Sequence, residues 1–168
     1  ATQRVSADHR LEVTIQGPDQ GDREGLENEV RQRGLSSVIR FLGPVSSPDP
    51  IHIMSEYDVC ILPSRYEGFP TAAVEALIAG RPLVCTRAGA LAQHLEDADV
   101  AMVVDAHVDS IEQGIRLAIE GRGKWPAMAD KARKWALDHL DWDPIASDML
   151  HQLRSEEHTS ELQSPDHL

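Results

Sequence analysis

The sequence predicts an α/β fold built on a doubly wound parallel sheet, and three observations carry that expectation. Short apolar runs recur near residues 11–16, 38–42, 58–62, 82–86 and 100–104, as buried parallel strands do. Patterns of helical period lie between them, and such alternation is the mark of right-handed crossovers in a parallel sheet. Turn signals punctuate the alternation, among them Gly17-Pro18-Asp19 and Gly43-Pro44, where the chain must change direction.

Taken in order, residues 1–10 read as the end of a helix whose beginning is absent. Leu11 to Ile15 is the first strand, stopped at Gly17. Residues 24–33 form a charged helix with Leu26 and Val30 four apart, closed by Gly34, the residue that most readily ends a helix. Val38 to Leu42 is the second strand. A Ser/Pro-rich loop over residues 46–50 leads to a short helix from Ile51 to Tyr57, then to the third strand, Asp58 to Leu62. The last strand ends at Val104, before helices over 108–120 and 124–139 that Gly121 and Gly123 separate.

Composition removes several function classes. The chain has 168 residues, enough for one domain with a real core. Its net charge of −12 argues against nucleic acid, because phosphate binding needs a basic face. No apolar run reaches the length of a membrane span, and no signal peptide opens the chain. Cys60 and Cys85 fall in predicted buried strands without C-x-x-C spacing, which reads as reduced core cysteines of a cytosolic protein. The eight histidines form no metal-ligand spacing, and no G-x-S-x-G nucleophile turn is present.

The chemistry concentrates in residues 63–80, PSRYEGFPTAAVEALIAG, which read as loop then helix between two strands. Pro70 suits the first turn of a helix, where its missing N–H costs nothing. The N–H groups of Thr71, Ala72 and Ala73 would then form an anion site at the helix N-terminus. Gly68 lets the backbone approach a ligand closely. Glu75 can accept hydrogen bonds from two neighbouring hydroxyls such as those of a ribose, worth roughly 1.5–3 kcal/mol each. On spacing alone, however, a loop carboxylate such as Glu67 is more often a solvated charge or a helix N-terminal helper, and Glu75 reads also as an ordinary exposed helix residue.

Pro63, Ser64, Glu67, Gly68, Phe69, Pro70, Glu75, Ala76, Ala79, Gly80 and Pro82 together resemble the E-x7-E signature of retaining family 4 glycosyltransferases. The resemblance extends from about Leu11 to Trp142. It implies the C-terminal, donor-binding half of a GT-B fold, a Rossmann-like sheet of order 3-2-1-4-5-6 whose first strand lies before Ala1. Strands 2 and 4 would then flank a gap, so the sheet must re-pair, stay open or be destabilised. The resemblance further implies that Glu67, the catalytic candidate, touches donor-sugar hydroxyls, with Gly68, Phe69 and Pro70 shaping that pocket. Thr71 and Ala72 would hold phosphate, Glu75 the ribose, and Gly17 and Val45 would face the nucleotide. Pro70 replaces the family's frequent glycine and removes a backbone donor, and Ala90 replaces the second glycine of a frequent Gly-Gly pair.

The implied partners are a nucleotide-diphosphate sugar and a missing N-terminal acceptor-binding domain, with no metal or other cofactor. The full enzyme is expected in the cytoplasm, with a peripheral membrane contact. Two rival readings stand beside a glycosyltransferase: a nucleotide-sugar epimerase or sugar phosphorylase of the same fold, and a non-catalytic Rossmann-like binding module. Trp142 reads as a packing anchor. Residues 154–168, beginning RSEEHTSELQS, resemble a translated sequencing adapter, so the domain is assigned to residues 1–153. The tail carries one arginine and four acids, leaving −9 on the remainder. By itself the fragment is expected to be inactive.

Overall fold

The computed structural model describes residues 1–44 and 49–140. Val45, Trp142 and the 154–168 tail, each singled out above, lie outside the described residues. The elements run α1 (Thr2–Val5), β1 (Val13–Gln16), α2 (Arg23–Gln32), β2 (Ile39–Gly43), α3 (Pro50–Ser55), β3 (Cys60–Leu62) and α4 (Thr71–Ile78). They continue with β4 (Leu83–Thr86), α5 (Ala90–Asp97), β5 (Met102–Val104), α6 (Val108–Glu120) and α7 (Trp125–Leu140). All ladders are parallel, as the alternation predicts.

The strands form two sheets, β1-β2 and β3-β4-β5. If β1 is numbered as strand 2 of a six-stranded sheet, these pairings are 3-2 and 4-5-6. No ladder among the described residues joins β1 to β3. The two sheets are therefore left unjoined among the described residues.

The core centres on β4. Leu83, Val84, Cys85 and Thr86 are all buried, because α4 and α6 lie against the strand while α5 packs on the neighbouring β5. Ala73, Ala76 and Leu77 turn one face of α4 into this core. Small residues on that face let α7 pack closely through Ala132 and Ala136. Helix α4 stops where Gly80 takes φ +67. There the N–H of Gly80 donates to the Leu77 carbonyl and that of Arg81 to the Ala76 carbonyl. This left-handed close satisfies carbonyls that the helix end would leave unpaired. Arg133 Nε adds a 3.0 Å bond to the Ile78 carbonyl, tying α7 to the same end.

Other elements are shorter or differently joined than the sequence suggests. Only Thr2–Val5 of the first ten residues is helical, but it is firmly held. Val5 is fully buried, Arg4 bonds Asp109 and Glu112 of α6, and Arg116 reaches Asp8 at 2.8 Å. Asp49 caps α3 by accepting from the His52 N–H, with Pro50 in the first turn. The Gly121–Gly123 segment is no break, for a 3₁₀ turn over Gly121–Lys124 carries α6 directly into α7.

Candidate functional site

The carboxyl ends of the strands carry the candidate residues. Glu67 lies in the loop leaving β3 and is half-buried. Its N–H donates to the Ala88 carbonyl at 3.1 Å, across to the loop that leaves β4. Its carboxylate accepts from Ser64 Oγ at 2.5 Å. Pro70 and Gly89 join Glu67 around a small pocket floored by Leu62, Cys85, Thr86 and Leu95. The enclosed space is about 10 Å³, far below the roughly 300 Å³ at which ligand pockets begin.

Pro70 is not in the first turn of α4. It precedes the helix, with φ −81 and ψ 83, and Thr71 is the first helical residue. The correction alters the anion site. Thr71 donates its N–H to the Phe69 carbonyl at 3.0 Å, and Ala73 donates to the Pro70 carbonyl at 2.9 Å. Of the three N–H groups predicted to be free, only that of Ala72 has no acceptor among the described residues. The tight turn into the helix consumes the others.

Glu75 lies on the second turn of α4, half-buried and without a hydrogen-bond or ion-pair partner among the described residues. Desolvation raises its pKa above the ordinary value of 4.5. A partly desolvated carboxylate gains from a hydroxyl or N–H brought to it. It is not part of the pocket around Glu67. Gly68 and Phe69 are exposed beside Glu67, and Tyr66 projects further still, 84 % exposed.

Gly17 belongs to a separate part of the chain. It has φ +151 and donates to the carbonyl of Gly43, itself at φ +76, joining the carboxyl ends of β1 and β2. No contact among the described residues brings it to the Glu67 pocket.

Cys60 and Cys85 are free thiols, and burial pushes both up to about 11. Arg87, beside the pocket, is taken up by Glu96 and Asp105. No group of three metal-ligating side chains occurs among the described residues. No described helix is long and apolar enough to cross a membrane.

Thr86 was not foreseen. It is the one buried polar side chain among the described residues, 4 % exposed. Its hydroxyl donates to the Ser64 carbonyl, and the Leu62 carbonyl lies 3.4 Å away. The available signal was a threonine ending an otherwise apolar strand just before a glycine-containing loop.

Residues 1–135 match the family model of glycosyl transferases group 1. The chain belongs to that family. Among curated relatives it is 28 % identical over 146 residues to the MMP alpha-(1->4)-mannosyltransferase of Mycolicibacterium hassiacum, covering 86 % of this chain and 35 % of the relative. It is 33 % identical over 98 residues to the D-inositol 3-phosphate glycosyltransferase of Paenarthrobacter aurescens, covering 58 % and 24 %. The chain therefore matches only about a quarter to a third of the length of these relatives.

Solved structures share the fold. An Anabaena protein, HepE, in complex with UDP superposes with a TM-score of 0.78 at 22 % identity, over 92 % of this chain and 44 % of that one. Sucrose-phosphate synthase from Thermosynechococcus elongatus gives 0.76 at 20 % identity, over 94 % and 42 %. The architecture of this group 1 chain is thus that of GT-B glycosyltransferases.

Proposed function

We propose that this chain is the donor-binding half of a retaining, family 4 glycosyltransferase that moves a sugar from a nucleotide-diphosphate donor to an acceptor. The observation that carries the reading is the pair of carboxylates, Glu67 and Glu75, on the loop and helix that leave the carboxyl end of β3 in a group 1 chain. That end of a parallel sheet is where α/β folds bind nucleotides.

In this reading Glu67 lies against donor-sugar hydroxyls and acts in catalysis. Gly68, Phe69 and Pro70 bound the sugar, the Ala72 N–H faces a phosphate oxygen, and Glu75 takes the ribose hydroxyls. Gly17 and Val45 face the nucleotide. The bond from the sugar to the diphosphate breaks, one to an acceptor hydroxyl forms, and the anomeric configuration is kept. No metal is required, since N–H groups and basic residues outside this chain offset the diphosphate charge. The acceptor is held by an N-terminal domain that this chain does not include, so the chain alone is inactive. The complete enzyme is cytoplasmic with a peripheral membrane contact, and residues 154–168 are an adapter-derived tail.

Calorimetric titration of the complete enzyme with nucleotide sugars tests the reading. Glu75→Ala is expected to weaken donor binding by about 1.5–3 kcal/mol. An unchanged dissociation constant would remove Glu75 from the site.

A further inference from the structure

We propose that Thr86 is a positioning residue for Glu67, acting through Ser64, and that Gly89 completes the same clamp by leaving room for the Glu67 backbone. The inference rests on the donor-site reading above and adds the means by which the sugar-facing carboxylate is held.

The ladder between β3 and β4 ends at Leu62, which pairs with Cys85. Beyond it the loop from Pro63 has no strand to follow. Three contacts then tie it to the end of β4 and the segment that follows. The Thr86 hydroxyl donates to the Ser64 carbonyl, serving as one more rung past the end of the ladder. The Glu67 N–H donates to the Ala88 carbonyl at 3.1 Å. At Gly89, a Cβ would stand 2.7 Å from the Glu67 carbonyl oxygen, so only glycine permits this approach. The anchored Ser64 in turn donates from Oγ to the Glu67 carboxylate at 2.5 Å. Each contact therefore falls on Ser64 or Glu67.

A threonine here is favourable only because its hydroxyl is bonded. Leu83, Val84 and Cys85 are apolar and buried, and valine has the shape of threonine without a hydroxyl to desolvate. What the hydroxyl adds is the fixed position of Ser64. A loop carboxylate with several rotatable bonds is thereby held in one place before any ligand arrives, which limits the ordering that binding must supply.

The test uses the complete polypeptide that carries this chain, in wild-type form and as Thr86→Ser, Thr86→Val and Ser64→Ala. UDP-, GDP- and ADP-linked hexoses are each titrated beside the bare nucleoside diphosphate. Ser64→Ala removes a half-buried hydroxyl and keeps the loop backbone bonds, so it remains informative should Thr86→Val fold poorly. Thr86→Ser is expected to keep the wild-type ratio of sugar-nucleotide to nucleotide affinity. Thr86→Val and Ser64→Ala are expected to lower that ratio about tenfold while leaving the bare nucleotide unaffected. Hydrogen exchange should also quicken in the 63–70 peptide of Thr86→Val, and not in Thr86→Ser.

A ratio unchanged in both Thr86→Val and Ser64→Ala overturns the positioning role and leaves the donor site standing. Equal loss of both ligands in Thr86→Val assigns Thr86 to general stability and likewise overturns it. Failure of the wild type to bind any of the sugar nucleotides removes the donor-site reading, and this inference with it.

Discussion

Gly114 of α6 offers a sharp test of how tightly this core is built. A Cβ placed on it would lie 2.8 Å from one methyl of Val84 and 3.0 Å from one of Val104. Both distances are well inside the 3.5–4.0 Å at which carbon atoms attract. Neither valine can swing clear cheaply, since β-branched side chains are stiff about χ1 and Val84 is 1 % exposed. Gly114→Ala must therefore separate α6 from β4 and β5 by several tenths of an ångström. Overpacking of this kind costs roughly 1–3 kcal/mol. Against it stands a gain of about 0.5–1 kcal/mol from replacing a mid-helix glycine by alanine. The net expectation is a loss of up to about 2.5 kcal/mol, or as much as roughly 10 °C in Tm for a chain of this size.

Gly25 supplies the control, because it sits in α2 with nothing within 4 Å of its Cβ position. Gly25→Ala is expected to stabilise by about 0.5–1 kcal/mol. Urea unfolding of the two variants beside wild type should give midpoints that move in opposite directions at constant m. Gly114→Ala stabilised to the same extent as Gly25→Ala would refute the tight α6–β4 contact.

Three further outcomes are expected. Gly89→Ala should destabilise by about 1–3 kcal/mol, because its Cβ meets backbone that cannot rotate away; a neutral urea midpoint would contradict the close approach to Glu67. Burial raises the pKa of Glu75 in the folded chain, so the native state holds this proton more tightly than the unfolded one. Its contribution is accordingly most favourable below the ordinary value of 4.5 and declines as pH rises from there through the raised value. The stability difference between wild type and Glu75→Gln should therefore shift against wild type over that window, and a pH-independent difference would refute the desolvation. Finally, thiols held near 11 are almost wholly protonated at pH 8. Cys60 and Cys85 should resist labelling by a thiol reagent until the chain unfolds, and rapid native labelling would count against their burial.

Much of the fold was legible because its signals are local. Apolar runs marked the five described strands to within a few residues, most plainly β4, which is buried on both faces and continuously apolar up to Thr86. Gly34 and Gly80, at φ +67 in each case, closed α2 and α4 where glycine was needed. The turn before α4 was less legible. Proline is compatible both with the first turn of a helix and with the residue before it. The extended ψ of Pro70 and the Phe69 carbonyl that captures the Thr71 N–H follow from how the loop docks on the β4–α5 segment. The anion site shrank for that reason from three free N–H groups to the one at Ala72.

The same division runs through the site as a whole. The sequence by itself determined the strand–loop–helix order and the presence of Glu67 and Glu75 at a chosen spacing, because periodicity and spacing are properties of neighbours along the chain. Only the tertiary structure decided which of those residues meet. It separated Glu75 from the Glu67 pocket, set Gly17 with Gly43 on the β1–β2 pair, and left the two sheets unjoined. It also brought Thr86 to Ser64 and Gly89 to Glu67, across 22 residues in each case. Such contacts depend on the register of β3 against β4, and a register is a relation between distant segments that no single stretch of sequence encodes.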